Sequence, residues 1–284
     1  MMIIIMSFDR FRFQKEVEIL LGCHQVEKWL SYSQKFQSLE VNMSNIQTLK
    51  SSLHEDGLDN LYKGLYSISN GFFNIYHGYY SWSVVKFYYA VFYLLRCFFS
   101  ANDIGFLKSK GIFTLKLEQG EKPIRRDNFQ YNGETIKGDH KTTIVTYERE
   151  FKDQDILLSN HIGDLTVYDW LMEIRNQVNY RERAFKEPEL GYFPISLFNK
   201  STLKESIEIY FKDQVPIYCF NEDHACVAAP IKVLQFVSHL FYTNTGLRLS
   251  EERIKVIEKM LEPTGINEIP YIKNILYPDQ YAGY

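Results

Sequence analysis

The stretch YYSWSVVKFYYAVFYLLRCFFSAND, Tyr79–Asp103, decides the fold. It contains no proline or glycine, and its only charged side chains are Lys86, Arg96 and Asp103. Its apolar residues fall on every side of a helical wheel, and such a helix belongs inside a protein core or a membrane. Lys86 and Arg96 interrupt the run before it reaches the ~18 uncharged residues that a membrane span asks for. The hydroxyls of Tyr79, Tyr80, Tyr88, Tyr89 and Tyr93 need partners, which neighbouring helices supply more readily than lipid. The stretch reads as the central helix of a soluble bundle, with no membrane association.

Working upstream, Leu58, Leu61, Leu65 and Ile68 repeat at helical spacing, with Asp56 or Asp59 as the N-cap. That helix ends or bends at Asn70-Gly71. A polar helical segment over Asn45–Leu53 precedes it and breaks at His54–Gly57. Earlier still, Val17, Leu20, Leu21, Val26, Trp29 and Leu30 form the apolar face of a helix from Phe13 to about Phe36. The opening MMIIIMSF is too short for a signal-peptide core and runs straight into Asp9 and Arg10; it reads as a short strand or an apolar arm for a partner.

Downstream, IFTLKLEQGEKPIRR alternates apolar and polar residues around Gly120, a β-hairpin pattern at 111–126. Asp139 is placed to cap a helix starting at His140, and helical spacing continues over Thr143–Phe151. The next helix spans about Asp164 to Arg183, with Leu165, Tyr168, Leu171, Ile174 and Val178 facing inward. EPELGYFPISLF is a linker or loop, and Lys204–Lys212 a short helix or strand. Gln214–Phe220 reads as an edge strand because of Pro216. Ala228–Tyr242 is a helix with Pro230 in its first turn, and Ser250 caps a final helix ending near Leu261. The aromatic tail, Asn267–Tyr284, is expected to wrap on the surface.

With 284 residues the chain holds one or two domains and ample core. A net charge of −3 supplies no global field for nucleic acid or an anionic membrane, so any RNA contact needs a local basic patch. Two such patches stand out: Arg175, Arg181, Arg183 and Lys186, and then Lys122, Arg125 and Arg126. Cys23, Cys97, Cys219 and Cys226 are scattered among apolar residues, as expected of reduced thiols in a cytoplasmic protein. Cys219, His224 and Cys226 fit no zinc spacing and lack a fourth ligand, so no metal is assigned. Walker, dinucleotide, Gly-x-Ser-x-Gly and His-Glu-x-x-His patterns are all missing, and no cofactor is implied.

Three segments in order carry a family resemblance. They are Leu58–Ser69 leading into FYYAVFYLLRCFF (Phe87–Phe99), then DHKTTIVTYEREF (Asp139–Phe151), then EIRNQVNYRER (Glu173–Arg183). Together, over roughly residues 58–185, they resemble the HEPN (higher eukaryotes and prokaryotes nucleotide-binding) superfamily, in the branch with Arg-x-x-x-Asp/Asn-Tyr in its last core helix. The resemblance implies a mainly α chain: an up-and-down helical bundle at 57–187 with a small β-hairpin insertion at 111–126. An N-terminal helical segment at 1–56 and a mostly helical C-terminal extension at 188–284 flank it. It further implies a homodimer joined through the Arg helix. Its members cleave RNA without metal in toxin–antitoxin and anti-phage defence systems, or bind nucleotides or proteins.

Metal-free RNA cleavage needs a base for the 2′-hydroxyl, an acid for the leaving oxygen and positive charge on the phosphate. Active family members use an Arg and a His four to six residues apart. Arg175 matches the Arg, but Tyr180 stands at the His position, and a phenol ionising near pH ~10 is a poor base at neutral pH. In an ideal helix Arg175 and Tyr180 point about 140° apart, so they share a site only if the helix bends. His140 with Lys141, or His161 with Asp164, are the residues placed to substitute for the missing imidazole. The expected site is Arg175, Tyr180 and His140 for chemistry, with Asn176, Asn179, Lys141 and Arg181 on RNA or phosphate. The competing expectations are a catalytically silent assembly or sensor subunit for a partner protein encoded nearby, and a nucleotide-binding or nucleotide-modified module with Tyr180 as acceptor.

Overall fold

A helix that is apolar on every face must be largely enclosed, and most of Tyr80–Ala101 is: Phe87, Tyr88, Leu94, Leu95, Phe98 and Phe99 are all buried. The structure, a computed structural model, describes residues 11–185, 187 and 191–280. The apolar reading of MMIIIMSF and the cation of Lys186 lie outside them. In chain order the elements are α1 (Arg12–Leu20), a 3-10 helix (Val26–Tyr32), α2 (Ser33–Gln37), α3 (Ile46–His77), α4 (Tyr80–Ala101), β1 (Ile104–Lys108), β2 (Ile112–Lys116), β3 (Ile124–Arg125), β4 (Gln130–Tyr131) and β5 (Glu134–Thr135). Then come α5 (Asp139–Phe151), β6 (His161–Ile162), β7 (Leu165–Thr166), α6 (Val167–Asn176), one π-helical turn (Gln177–Arg181), α7 (Leu203–Lys212), α8 (Glu222–Thr245), α9 (Glu251–Leu261) and α10 (Pro270–Leu276). The chain is mainly helical with small β-hairpins. The described residues up to Gly57, with Phe99–Thr142, form one compact unit; Leu58–Phe98, with the described residues from Thr143 on, form the other.

In the first unit the expected hairpin is part of the core. β2 pairs antiparallel with β3 (Phe113 opposite Arg125), and an additional strand, β1, pairs along the other edge of β2 (Ile104 opposite Lys116). Phe113, Leu115 and Leu117 are buried with Phe13, Val17 and Phe36 of the N-terminal helices. Trp29 Nε1 donates to the Lys108 carbonyl at 2.5 Å, and Gly120 N–H donates to the Val41 carbonyl at 2.8 Å. The helix expected over Phe13–Phe36 is instead broken: α1 ends at Leu20, and Gly22 takes φ +77°, a left-handed conformation in which a side chain is strained.

The two helices expected around a break at His54–Gly57 are one 32-residue helix, α3. His54 turns its Nε2 to Asp103 at 2.8 Å, beside Lys50 at 2.5 Å. Asp56, expected to cap a helix at Leu58, lies buried inside α3 and accepts from the N–H groups of Arg12 and Phe13, both at 2.9 Å. It caps α1 across 43 residues of sequence, satisfying N–H groups that every helix start leaves open. Asp59, in the second unit, instead holds Arg253 at 2.6 Å.

The second unit is built around α3 and α4. Gly71 does not end α3; it lets the two helices close, since a Cβ there would stand 2.5 Å from Cε1 of Phe87. Gly64 does the same against Leu94, at 2.8 Å. Glu187 closes the start of α4, accepting from Ser81 N–H at 2.6 Å and Ser81 Oγ at 2.9 Å. Asp155 accepts from the buried phenols of Tyr147, at 2.9 Å, and Tyr168.

Further expectations shift with local chemistry. Asp139 is the first residue of a continuous α5, not its cap, and its carboxylate meets Lys108 at 3.0 Å. Residues 164–166 belong to the β6–β7 hairpin, which leaves Leu165 exposed, and Thr166 caps α6 by accepting from Asp169 N–H. Gln214–Phe220 is no strand; a 3-10 helix follows Pro216. α8 starts six residues earlier than expected, capped by Asn221 with Glu222 and Asp223 in its first turn, so Pro230 lies inside the helix. The tail folds into α10, burying Ile272 and Leu276. By length and composition α4 and α8 are apolar enough to cross a membrane, yet 83% and 61% of their most apolar windows are buried, as in core helices.

Each fully buried Phe contributes roughly 1.5–3 kcal/mol, so the Gly71–Phe87 approach is a sensitive point. Phe72 packs edge-on against the Phe87 ring, with centroids 5.4 Å apart, and hinders its retreat. Gly71→Val is expected to lower stability by about 2 kcal/mol in urea unfolding, despite its better helix propensity. Adding Phe87→Leu to Gly71→Val should recover part of that loss, whereas two additive losses would show the approach to be unimportant.

Candidate functional site

α4 and α6 set the site. Tyr88 and Tyr89 come from α4, whose inward face is already committed to the core. α6 buries Tyr168, Leu171 and Ile174, and on the same face carries Arg175, only 7% exposed. Its guanidinium carbon lies 4.3 Å from the Tyr88 ring centre and 5.8 Å from that of Tyr89. The bend that the sequence demanded is present as the π-helical turn Gln177–Arg181. In a π turn residues five apart come onto one side, and Tyr180 is brought to 5.6 Å from the Arg175 guanidinium. Tyr180 itself is 67% exposed.

Three rings therefore surround one buried cation. Cation–π contacts of this kind offset desolvation by roughly 0.5–2 kcal/mol each. The nearest carboxylates in sequence are engaged elsewhere: Glu173 pairs with Arg181, and Glu182 accepts from Gln177 at 3.3 Å. Among the described residues Arg175 makes no ion pair, and its buried Nε has no hydrogen-bond partner. Burial pushes the Tyr88 phenol up from 10.0 to about 12, against the lowering effect of the Arg175 cation beside it.

One side of α4 next to this cage is not buried. Trp82, Lys86, Tyr89 and Tyr93 follow one another at helical spacing there, while Phe87, Tyr88 and Phe92 point inward. Trp82 meets Phe185 edge-on at 5.5 Å, Tyr89 and Tyr93 stack at 6.1 Å, and Lys63 Nζ lies 5.8 Å from the Tyr93 ring. Aromatic residues at this spacing are mostly core, and periodicity alone does not single out the three rings left exposed (Trp82) or half-buried (Tyr89, Tyr93).

Arg175, Asn176, Asn179, Tyr180 and Arg181 all belong to the second unit, and Asn176 and Asn179 are half-buried there. His140 and Lys141 belong to the first, where Lys141 lies 3.8 Å from Glu134. His161 is exposed in the β6–β7 hairpin, and no bond joins it to Asp164 among the described residues. In the second basic patch two cations are paired locally, Lys122 with Glu40 at 3.3 Å and Arg125 with Asp127 at 2.9 Å, and Arg126 donates to the Thr114 hydroxyl at 2.6 Å. His224 is bonded through Nδ1 to Tyr210 Oη at 2.7 Å, and burial raises the thiols of Cys226 and of Cys219, the latter to about 12. Comparison of the chain with family models, with curated proteins and with solved structures finds no match.

The raised phenol makes a pH prediction. Folding favours the protonated Tyr88, so its contribution is intact below pH 10 and is lost as the pH climbs through about 12. Wild type should lose stability steeply above pH 10, and Tyr88→Phe should remove on the order of 1–3 kcal/mol of that loss. Chemical denaturation at stepped alkaline pH measures it; identical slopes in both proteins would contradict the enclosure of Tyr88.

Proposed function

We propose that the chain is a HEPN-like, RNA-directed protein of a prokaryotic anti-phage defence or toxin–antitoxin system. It acts in the cytoplasm as a homodimer joined through the Arg175 helix. The observation that carries this reading is Arg175, a desolvated cation with an unpartnered Nε–H, next to the exposed phenol of Tyr180. A guanidinium in such surroundings keeps its strength for a phosphate oxygen. The α4 stripe supports it, since single-stranded nucleic acid is held by rings that stack bases and cations that follow the backbone. Trp82, Tyr89 and Tyr93 supply the rings, with Lys86 and Lys63 as the cations.

In this reading Arg175 contacts the phosphate, Asn176 and Asn179 position it, and Tyr180 donates a hydrogen bond. A phenol takes up the 2′-hydroxyl proton poorly at neutral pH, so binding outruns cleavage. Arg181 joins only where a phosphate displaces Glu173. A second reading, a catalytically silent assembly subunit for a partner enzyme, is favoured by the pairing of Arg181 and by Tyr180 standing where an imidazole is needed.

Binding and cleavage of single-stranded RNA in EDTA, comparing wild type with Arg175→Ala and Tyr180→Phe, tests the proposal. Arg175→Ala is expected to weaken binding by about tenfold or more, and Tyr180→Phe by less. Products ending in 2′,3′-cyclic phosphate would mark a nuclease. Wild type that neither binds nor cuts total cellular RNA would leave the silent subunit as the reading.

A further inference from the structure

In the second unit, on residues other than those of the Arg175 cage, α8, α10, the loop after α8 and Leu61 of α3 line a half-open cavity of about 480 Å³. Its size falls in the range of small-molecule sites, roughly 300–1,000 Å³. Tyr242, Tyr271 and Leu249 give its wall aromatic and aliphatic surface, and His239, Asn274 and Arg248 add polar groups. Among the described residues no carboxylate lines it, and Arg248 is the permanent charge on its wall.

Two features make it more than a gap in packing. The buried Oδ1 of Asn274 has no hydrogen-bond partner among the described residues, a cost that a ligand N–H or O–H would relieve. At the rim Arg248 and the Tyr242 hydroxyl converge on one carboxylate, that of Asp279 in the C-terminal tail. A guanidinium and a phenol aimed at the same acid form a ready-made anion seat, and the chain's own tail occupies it.

We propose that this cavity binds a small planar aromatic or heteroaromatic acid. Its ring lies against Tyr242 and Tyr271, its donor edge bonds Asn274 Oδ1, and its acidic group replaces Asp279 on Arg248 and Tyr242. Asp279 thereby acts as an internal competitor. The site is independent of the RNA reading and uses none of its residues. Aromatic carboxylates and mononucleotides share this chemistry, and the test separates them.

Calorimetric titration of the full chain with indole-3-acetate and with adenosine 5′-monophosphate, against uncharged indole and adenosine, tests the proposal. At least one acid should saturate a single site, roughly tenfold tighter than its uncharged counterpart. Asp279→Asn should tighten binding several-fold by removing the competitor, while Arg248→Gln and Asn274→Leu should each weaken it by about fivefold or more. Which acid binds identifies the ligand class. Absence of binding by both acids to wild type and to Asp279→Asn would overturn the proposal. So would binding that Asn274→Leu, Arg248→Gln and Asp279→Asn all leave unchanged.

Discussion

The approach of α3 to α4 is the constraint on which the second unit rests. Gly64 and Gly71 leave no Cβ where Leu94 and the Phe87 ring must pass, and Phe72 and Phe193 pack against that ring in turn. Closing the helices removes the apolar inner faces of both from water at once, which is the largest favourable contribution available to such a sequence. It also determines which residues of α4 cannot be covered by α3. Tyr88 is turned toward Arg175, and Trp82, Tyr89 and Tyr93 are left incompletely covered.

Much of the remaining structure answers the cost of burying polar groups beside those helices. Asp56 satisfies the first N–H groups of α1, and Glu187 those at the start of α4. Asp155 collects the hydroxyls of Tyr147 and Tyr168. Each is a carboxylate placed where several donors converge, the arrangement that makes a buried charge tolerable. Against that pattern stands Arg175, a buried cation compensated by ring faces instead of an acid. Buried polar groups left incompletely satisfied in native proteins are suited to ligand contacts, and Asn274 Oδ1 is such a group.

Legibility varied with the range of the interaction. The mainly helical class, the central helix and the β2–β3 hairpin follow from local periodicity and turn chemistry. The continuity of α3 was hidden, because His54, Gly57 and Gly71 look like breakers to a local reading. Glycine weakens an isolated helix by about 1 kcal/mol, but at Gly71 that cost is outweighed by a contact with a helix that comes later in the chain. Asp56 misled for the same reason: its proper partners are 43 and 44 residues away.

By itself the sequence determined the helical class, the core position of most of α4 and the presence of Arg175 and Tyr180 in one helical segment, since these depend on residue type and spacing within a few turns. It also required a bend if those two residues were to meet. Tertiary structure decided that the bend exists, as a π turn, and that rings rather than carboxylates surround Arg175. It alone assembled the cavity beside Asn274 from α8, α10 and the loop between α8 and α9. The physical reason is the same in each case: desolvation depends on which distant segments arrive to exclude water, and no local pattern encodes that arrival.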